Sequence, residues 1–206
     1  MRRISADLTI PGGKPLYIPA VEIPGCVKMD KKRFQKWTER EYSTNQRIIA
    51  LILEGILFLI IIPLLLVVAS SYIDHWLQIP RFEHGLVASI GLLLMVPGLL
   101  FALWSIHVQF TLGKGTPAPF MATQTLVVQG PYTYCRNPMT FGTILLYLGM
   151  SIWIGSFSAI GLTLLFTGLL IIYIRAIEEK ELETRFGPAY TEYKRNTPFL
   201  IPRSPH

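Results

Sequence analysis

Three long apolar runs, separated by polar segments, dominate the chain. The run 48–73 is apolar apart from Glu54, and the run 85–106 contains no charged residue. The third run, 138–174, also lacks charged residues, and Gly155-Ser156 divides it into two segments. A bilayer core of about 30 Å requires about 20 helical residues. The pattern therefore predicts an all-α integral membrane protein with about four transmembrane helices, over residues 48–73, 85–106, 138–154 and 157–174.

The remaining segments predict how the chain is organised around these spans. The last two spans are separated by so few residues that we expect a tight helical hairpin, followed by a charged cytoplasmic tail, 175–206, with an amphipathic helix. Pro63 predicts a kink in the first span. We divide the chain into a basic N-terminal arm, 1–47, and a transmembrane domain, 48–206.

The N-terminal arm contains one segment with helical character. The stretch 30–46 carries many charges together with Phe34, Trp37 and Tyr42. This combination is typical of a helix that lies on the membrane surface with its aromatic rings among the lipid headgroups. A plain, solvated basic arm explains the same residues, so both interpretations stay open.

The basic residues predict the orientation of the chain. Composition is 51% apolar and 16% charged with a mean hydropathy of +0.43, which excludes a disordered chain. If four spans place both termini on one side, eighteen of the nineteen Lys and Arg residues lie there, and Arg81 lies opposite. Positively charged loops stay in the cytoplasm, so both termini are expected to be cytoplasmic. Orientation and attraction to membrane lipid then explain the net charge of +6, and no nucleic-acid partner is expected.

Two predicted cytoplasmic segments, 123–142 and 175–203, flank the hairpin. A hairpin returns the chain to the side it left, so these segments are expected to meet. The first contains the turn Gly130-Pro131 and then Arg136, directly before Asn137-Pro138, which places a proline at a helix start. On spacing alone, a helix-start turn whose arginine reaches lipid phosphates explains this segment equally well.

The second segment groups three charged residues. Arg175 precedes Glu178 and Glu179 by three and four residues, so all three are expected on one helical face at the membrane boundary. A solvated helix with internal salt bridges explains the same spacing. The sequence has no zinc-spaced Cys and His cluster and no P-loop, HExxH or GxSxG motif. No metal is therefore expected, and any nucleotide-type cofactor must be bound by residues outside these motifs.

Taken together, the two segments resemble the integral membrane methyltransferases of the isoprenylcysteine carboxyl methyltransferase and phospholipid N-methyltransferase family. The family's pattern is a Gly-x-Tyr turn, Arg-His-Pro or Arg-Asn-Pro, a hairpin, a Glu-Glu pair and Phe-Gly-x-x-Tyr-x-x-Tyr. Carboxyl-methylating members usually have Arg-His-Pro, whereas this chain has Asn137. The resemblance covers roughly residues 107–203. The matching residues are Gly130-Pro131-Tyr132, Arg136-Asn137-Pro138, Glu178-Glu179, and Phe186-Gly187 with Tyr190 and Tyr193.

The resemblance implies an enzyme that binds S-adenosylmethionine on the cytoplasmic side and takes a lipophilic methyl acceptor from the bilayer. Glu178 or Glu179 is expected to bind the cofactor's ammonium and ribose, and Arg136 with the amides near Gly130 is expected to bind its carboxylate. Arg136 and Glu178 are the expected catalytic residues. The expected cofactor-binding residues are Gly130, Tyr132, Arg136, Asn137, Pro138, Glu178 and Glu179.

Three further residues are candidates for the acceptor pocket. Glu54 is a carboxylate inside the first span, where such groups are costly and often functional. His107 and Gln109 lie at the inner end of the second span. An interfacial role explains each of these residues as well. The acceptor is expected to be an isoprenylcysteine carboxylate or a phospholipid amine, and a small thiol stays open.

Two other functions stay open at this point. Sterol reductases that use NADPH look similar at the same hairpin, but their tail has an Arg-Asp-Glu run where this chain has Glu178-Glu179-Lys180. A non-catalytic membrane scaffold would bind partners through the arm and the tail. It would leave Arg136, Glu178 and Glu179 without a common purpose. We therefore expect a methyltransferase that depends on S-adenosylmethionine.

Overall fold

In the part of the chain that the structure describes, the fold is a bundle of four long helices with a short fifth helix at one end. The structure is a computed structural model, and it describes residues 43–82, 85–113 and 124–204. Two of the long helices contain one π-helical turn each, at Leu57–Ile61 and at Ile174–Glu178. The helices are α1 (Thr44–Trp76), α2 (Gly85–Leu112), α3 (Pro138–Trp153), α4 (Phe157–Phe186) and α5 (Pro188–Asn196).

Three of these helices are long and apolar enough to cross a bilayer. Helices α1, α2 and α4 contain 33, 28 and 30 residues. Helix α3 is apolar but has 16 residues, which corresponds to about 24 Å and is shorter than a typical hydrocarbon core. The structure thus confirms an all-helical membrane fold, while the count of four spans stays a prediction.

The helix boundaries differ from the apolar runs in one informative way. Helix α4 does not end at the predicted limit of residue 174 but continues for three further turns into the charged segment. Glu, Lys and Arg are good helix formers, so a change from apolar to charged residues does not end a helix. The expected amphipathic tail helix is therefore two pieces, the end of α4 and the separate helix α5, which are joined at Gly187.

The distribution of side chains is that of a protein surrounded by lipid. Large apolar side chains point outward along the helices, for example Leu86, Leu93 and Ile172, which are 86%, 71% and 64% exposed. Water would make so much exposed apolar surface costly, whereas hydrocarbon does not. Small polar side chains are buried between the helices instead. These are Ser70, Ser105, Ser151 and Thr163, each 0% exposed.

Helices α2 and α3 pack with their backbones in contact. Gly98 lies against Gly142, and seven residues further along each antiparallel helix Gly91 lies against Gly149. A Cβ atom added to Gly98 would lie 2.8 Å from the carbonyl oxygen of Gly142, and one added to Gly149 would lie 2.6 Å from that of Gly91. We call these four residues the glycine seam. Small residues drive this kind of packing in membranes because close approach maximises van der Waals contact.

The predicted hairpin between α3 and α4 is confirmed at the predicted residues. Gly155 adopts φ +70°, a conformation that glycine reaches without steric cost, and Ser156 caps α4 by accepting a bond from the Ala159 amide at 3.0 Å. The Ser156 hydroxyl also donates to the carboxylate of Asp74 at 2.7 Å. This bond ties the hairpin to the end of α1.

The π-helical turn of α1 ends two residues before Pro63, where the sequence predicts a kink. In this turn the amide of Ile62 donates to Leu57, five residues earlier. The next amide in that register belongs to Pro63, which has no N–H, so the carbonyl of Phe58 loses its helical partner. The buried hydroxyl of Tyr147 in α3 donates to this carbonyl at 2.6 Å. The bond satisfies a backbone group that lipid would leave unpaired.

Helix α1 begins at a well-defined cap. Ser43 and Gln46 form a capping box, and the backbone of Ser43 is extended. A surface helix over 30–46 therefore cannot run without interruption into α1, and most of that predicted helix lies outside the described residues. Arg47 then donates to the carbonyl of Phe110 near the end of α2, and its guanidinium lies 4.3 Å from the Phe110 ring centre. The contact places the start of α1 beside the end of α2.

Candidate active site

The first part of the site is a tight turn packed against α2. Residues Gly130–Thr133 form a single 3-10 turn in which Pro131 is buried. Gly130 adopts φ +60°, and a Cβ atom there would lie 3.2 Å from Val108 of α2. Both the backbone conformation and the close contact favour glycine at this position. The turn is thereby fixed at the end of the bundle where α3 begins.

The centre of the site is an ion pair between the start of α3 and the charged half of α4. The guanidinium of Arg136 donates to Oε1 of Glu179, and both side chains are more than nine-tenths buried. Nε of Arg136 also donates to the carbonyl of Thr197 at 3.1 Å, and Nη1 approaches the Tyr190 hydroxyl at 3.4 Å. The hydrogen bonds that each charged group makes to several partners offset the cost of removing this pair from water.

Glu179 has a second cationic partner. Nζ of Lys194 in α5 lies 2.8 Å from Oε2 of Glu179 and 2.8 Å from Oε1 of Glu183. These hydrogen bonds raise the pKa of Lys194. Helix α5 is thereby held against the charged half of α4, and both oxygens of Glu179 are engaged by cations.

The residues after α5 fold back over the start of α3. We call residues 197–203 the C-terminal strap. The amide of Arg136 donates to the carbonyl of Pro198 at 2.9 Å, and the side-chain amide of Asn137 donates to the carbonyl of Phe199 at 2.9 Å. The amide of Arg203 donates to the carbonyl of Tyr134 at 3.0 Å. The strap thus binds the Arg136–Asn137 segment by several backbone contacts.

Two tyrosines complete the site, one in the turn and one in α5. The hydroxyl of Tyr193 donates to the carbonyl of Tyr132 at 2.7 Å. Burial raises the pKa of both phenols, and the nearby carboxylate of Glu178 raises that of Tyr132 further because it disfavours a second negative charge. Both hydroxyls therefore remain protonated at neutral pH, and that of Tyr193 is a hydrogen-bond donor. Glu178 lies close enough to the turn to act on Tyr132 electrostatically.

This arrangement lies within a stretch that matches a known family. The sequence profile of the phospholipid methyltransferase family matches residues 86–189, which is half of the chain. The chain belongs to the phospholipid methyltransferase family. The matched stretch includes all but the first residue of α2, the turn, α3 and the whole of α4, so it contains the Arg136–Glu179 pair.

Two known proteins are similar to this family member. The solved structure of the eukaryotic intramembrane Ras methyltransferase, isoprenylcysteine carboxyl methyltransferase, superimposes with a TM-score of 0.52 at 21% identity. That match covers 66% of this chain and 50% of the other, and it shows a shared fold. The cobalt-zinc-cadmium resistance protein CzcN of Cupriavidus metallidurans is 33% identical over 79 residues. Those residues are 38% of this chain and 36% of CzcN, so the chain spans about half or less of both proteins' lengths.

The structure brings the predicted cofactor-binding residues of this phospholipid methyltransferase family member to one end of the bundle. Arg136 and Glu179 touch directly, and Glu178 lies near Tyr132. The two segments that flank the hairpin therefore meet, as expected. The remaining predicted residues of this group are part of the same turn and helix start, namely Gly130, Asn137 and Pro138.

The three predicted acceptor-pocket residues lie on other helices. Glu54 is buried in α1, and Gln109 is partly buried near the end of α2. The imidazole of His107 is exposed on α2. None of these placements tests their role. Within the described ranges there is no group of three or more His, Cys, Asp or Glu side chains that would hold a metal ion.

Sequence reasoning missed the residues that complete the ion-pair cluster. Three residues contact Arg136, Asn137 or Glu179, namely Lys194, Thr197 and Phe199. All three follow the helix break at Gly187, and the sequence does not indicate in which direction the chain continues after it. Arg175 was expected on one helical face with Glu178 and Glu179, and its guanidinium lies 4.5 Å from the Phe199 ring centre. The π-helical turn at Ile174–Glu178 shifts the register of these residues, and apolar periodicity carries no signal for it.

Proposed function

We propose that the chain transfers a methyl group from S-adenosylmethionine to a lipophilic acceptor at the membrane. The observation that carries the proposal is the buried Arg136–Glu179 pair, which joins the start of α3 to α4 beside the Gly130–Thr133 turn. It unites a cation, two carboxylates and a rigid turn inside the stretch that matches the methyltransferase family.

The residues at this end of the bundle fit the charged groups of S-adenosylmethionine. The cofactor carries an ammonium, a carboxylate and a sulfonium, so its site needs a carboxylate, a cation and backbone donors. Arg136 uses Nε and Nη1 for contacts within the described residues, which leaves Nη2 for a carboxylate. Both oxygens of Glu179 are held by Arg136 and Lys194, so Glu178 is the better partner for the ammonium.

The reaction requires mainly positioning. The cofactor supplies an electrophilic methyl group, and the electrons of the broken carbon–sulfur bond stay on sulfur. The chain holds donor and acceptor in line and excludes water, which together account for large rate effects without a covalent intermediate. The C-terminal strap and the Tyr193–Tyr132 bond support this role because they fix the Arg136 segment and the turn.

Two chemical classes of lipophilic acceptor fit the proposal. An isoprenylcysteine carboxylate is already ionised at neutral pH and needs no base. A phospholipid amine must lose a proton, and a Glu or Tyr side chain near the transferred methyl group would take it. Glu54, His107 and Gln109 remain the candidates for contacts with the acceptor, and the basic residues favour a cytoplasmic site.

The alternatives are less well supported. The family match does not favour an NADPH-dependent reductase. A scaffold without activity would not explain why a buried ion pair, costly to desolvate, occupies the end of the bundle.

Equilibrium binding to the detergent-purified protein tests the proposal, with S-adenosylmethionine as ligand and NADPH as the paired control. We expect saturable binding of S-adenosylmethionine alone. Glu178→Gln should weaken it by about tenfold or more because one charged hydrogen bond contributes about 1.5–3 kcal/mol. Glu192→Gln, an exposed carboxylate on α5, is the matched control and should bind normally. Binding of NADPH, or of neither ligand, would refute the proposal.

A further inference from the structure

The C-terminal strap lies beside the point where the apolar part of α4 ends. The apolar part of α4 ends at Ile174, which is buried, and Arg175 follows it directly and is exposed. An arginine at the end of a membrane-spanning segment places its guanidinium among the lipid phosphates. The ring of Phe199 lies 4.5 Å from this guanidinium. The contact therefore places the strap at the boundary between the apolar and the charged parts of α4.

The exposed side of the strap has the composition of a membrane-binding element. Ile201 is 73% exposed, and Arg203 is exposed two residues later. Together with Arg175 these residues make one exposed apolar side chain and two exposed cations. An apolar side chain that enters the acyl boundary, flanked by arginines, is the combination that binds an anionic lipid surface.

The inner side of the strap contacts the candidate active site. Its carbonyls accept hydrogen bonds from Arg136 at Thr197 and Pro198, and from Asn137 at Phe199. The Phe199 ring also lies 5.6 Å from the Arg136 guanidinium. A ligand that binds the outer side of the strap therefore also restrains the backbone carbonyls that accept hydrogen bonds from Arg136.

We propose that the C-terminal strap and Arg175 form an interfacial anchor that binds anionic phospholipid headgroups of the membrane in which the bundle lies. Arg175 and Arg203 bind the phosphates, and Ile201 enters the acyl boundary. The anchor links the lipid composition of the cytoplasmic leaflet to the order of the Arg136 segment. It rests on the membrane fold and on these contacts, and it does not require the proposed methyl transfer.

A fluorescent probe at position 201 tests the depth of the strap. The label is attached through Ile201→Cys in a Cys26→Ser protein, since Cys135 is fully buried. In phosphatidylcholine vesicles we expect quenching by lipids that carry a spin label near the headgroup and protection from aqueous iodide. A probe at Glu192→Cys, exposed on α5, should be quenched by aqueous iodide and not by the spin-labelled lipids. Equal iodide quenching at both positions would overturn the proposal.

The same probe measures headgroup preference in detergent. Short-chain phosphatidylglycerol should change its emission at lower concentrations than short-chain phosphatidylcholine does. Arg175→Gln and Arg203→Gln should each weaken the phosphatidylglycerol response by about fivefold. Arg195→Gln, an exposed cation on α5, should leave it unchanged. Equal responses to both lipids, or equal effects of all three variants, would overturn the anchor, whereas absence of S-adenosylmethionine binding would not.

Discussion

Nζ of Lys194 lies 2.8 Å from Oε2 of Glu179, the carboxylate oxygen that Arg136 does not hold. The Lys194 side chain is 37% exposed, whereas that of Arg136 is 9% exposed. We therefore predict that Lys194→Met lowers the free energy of unfolding by at most about 1 kcal/mol. Arg136→Met should cost about 3–5 kcal/mol because it leaves a buried carboxylate without its main partner. Denaturation in detergent measures both losses of unfolding free energy. Equal losses would contradict the conclusion that Arg136 is the main partner of Glu179.

The contribution of Lys194 has a definite pH dependence. Its pKa is raised from the ordinary value of 10.5 by hydrogen bonds to Glu179 and Glu183. A cation with a raised pKa stabilises the fold below its unfolded pKa, and this stabilisation is lost as the pH rises through the folded pKa. The difference between wild type and Lys194→Met should stay constant through neutral pH and shrink only above pH 10.5. A difference that already shrinks near neutral pH would contradict the pairing.

Tyr147→Phe should destabilise the fold although it changes no packing volume. The substitution removes the donor at 2.6 Å from the Phe58 carbonyl and leaves that carbonyl unpaired inside the bilayer. We expect a loss of about 1–2 kcal/mol, measured by denaturation in detergent or bicelles. Tyr72→Phe is the matched control. Tyr72 lies in α1, the helix that contains Phe58, and it is 72% exposed. It should have no effect.

A double-mutant cycle separates this bond from general packing. Pro63→Ala restores an amide N–H that can reach the Phe58 carbonyl in the π-helical register. In that background the loss caused by Tyr147→Phe should become smaller. An unchanged loss would show that the Tyr147 hydroxyl stabilises the fold in some other way.

Gly98→Ala should separate α2 from α3. The added Cβ atom would lie 2.7 Å from the backbone nitrogen of Leu146 and 2.8 Å from the backbone oxygen of Gly142, and backbone atoms cannot rotate away. We expect a loss of about 1–3 kcal/mol. Gly168→Ala in α4 is the control, since no atom lies within 4 Å of its added Cβ. It should be neutral or stabilising by up to about 1 kcal/mol.

The thiol of Cys135 should be unreactive in the folded protein. Its side chain is 0% exposed, and burial raises its pKa to about 11. Both effects suppress the thiolate that reacts with maleimides. In a Cys26→Ser protein we expect labelling by N-ethylmaleimide at neutral pH only after denaturation in SDS, detected by mass spectrometry. Rapid labelling of the folded protein would show that the strap and the turn open readily.

The helices could be predicted from the sequence because lipid imposes a simple rule on it. Each apolar run had to be helical to satisfy its backbone in hydrocarbon, and the hairpin at Gly155-Ser156 follows from turn-forming residues at the middle of one long run. The two π-helical turns were not predictable in this way. In the first, the carbonyl of Phe58 accepts a hydrogen bond from the hydroxyl of Tyr147, eighty-nine residues away in the sequence.

The site was predictable only in part. The segments that flank a hairpin must meet, so Arg136 and the Glu178-Glu179 pair were expected together. Which carboxylate pairs with Arg136 depends on the register set by the second π-helical turn, and Lys194 enters through the orientation of α5. These are tertiary effects without a periodic signature in the sequence.

The glycine seam also limits how molecules can travel through the bundle. The backbones of α2 and α3 touch at two levels seven residues apart, which leaves no width for an acyl or prenyl chain between them. A hydrophobic molecule that reaches the Arg136 end from within the bilayer must therefore pass another face of the bundle. At these two levels the α2–α3 interface is closed to such a molecule.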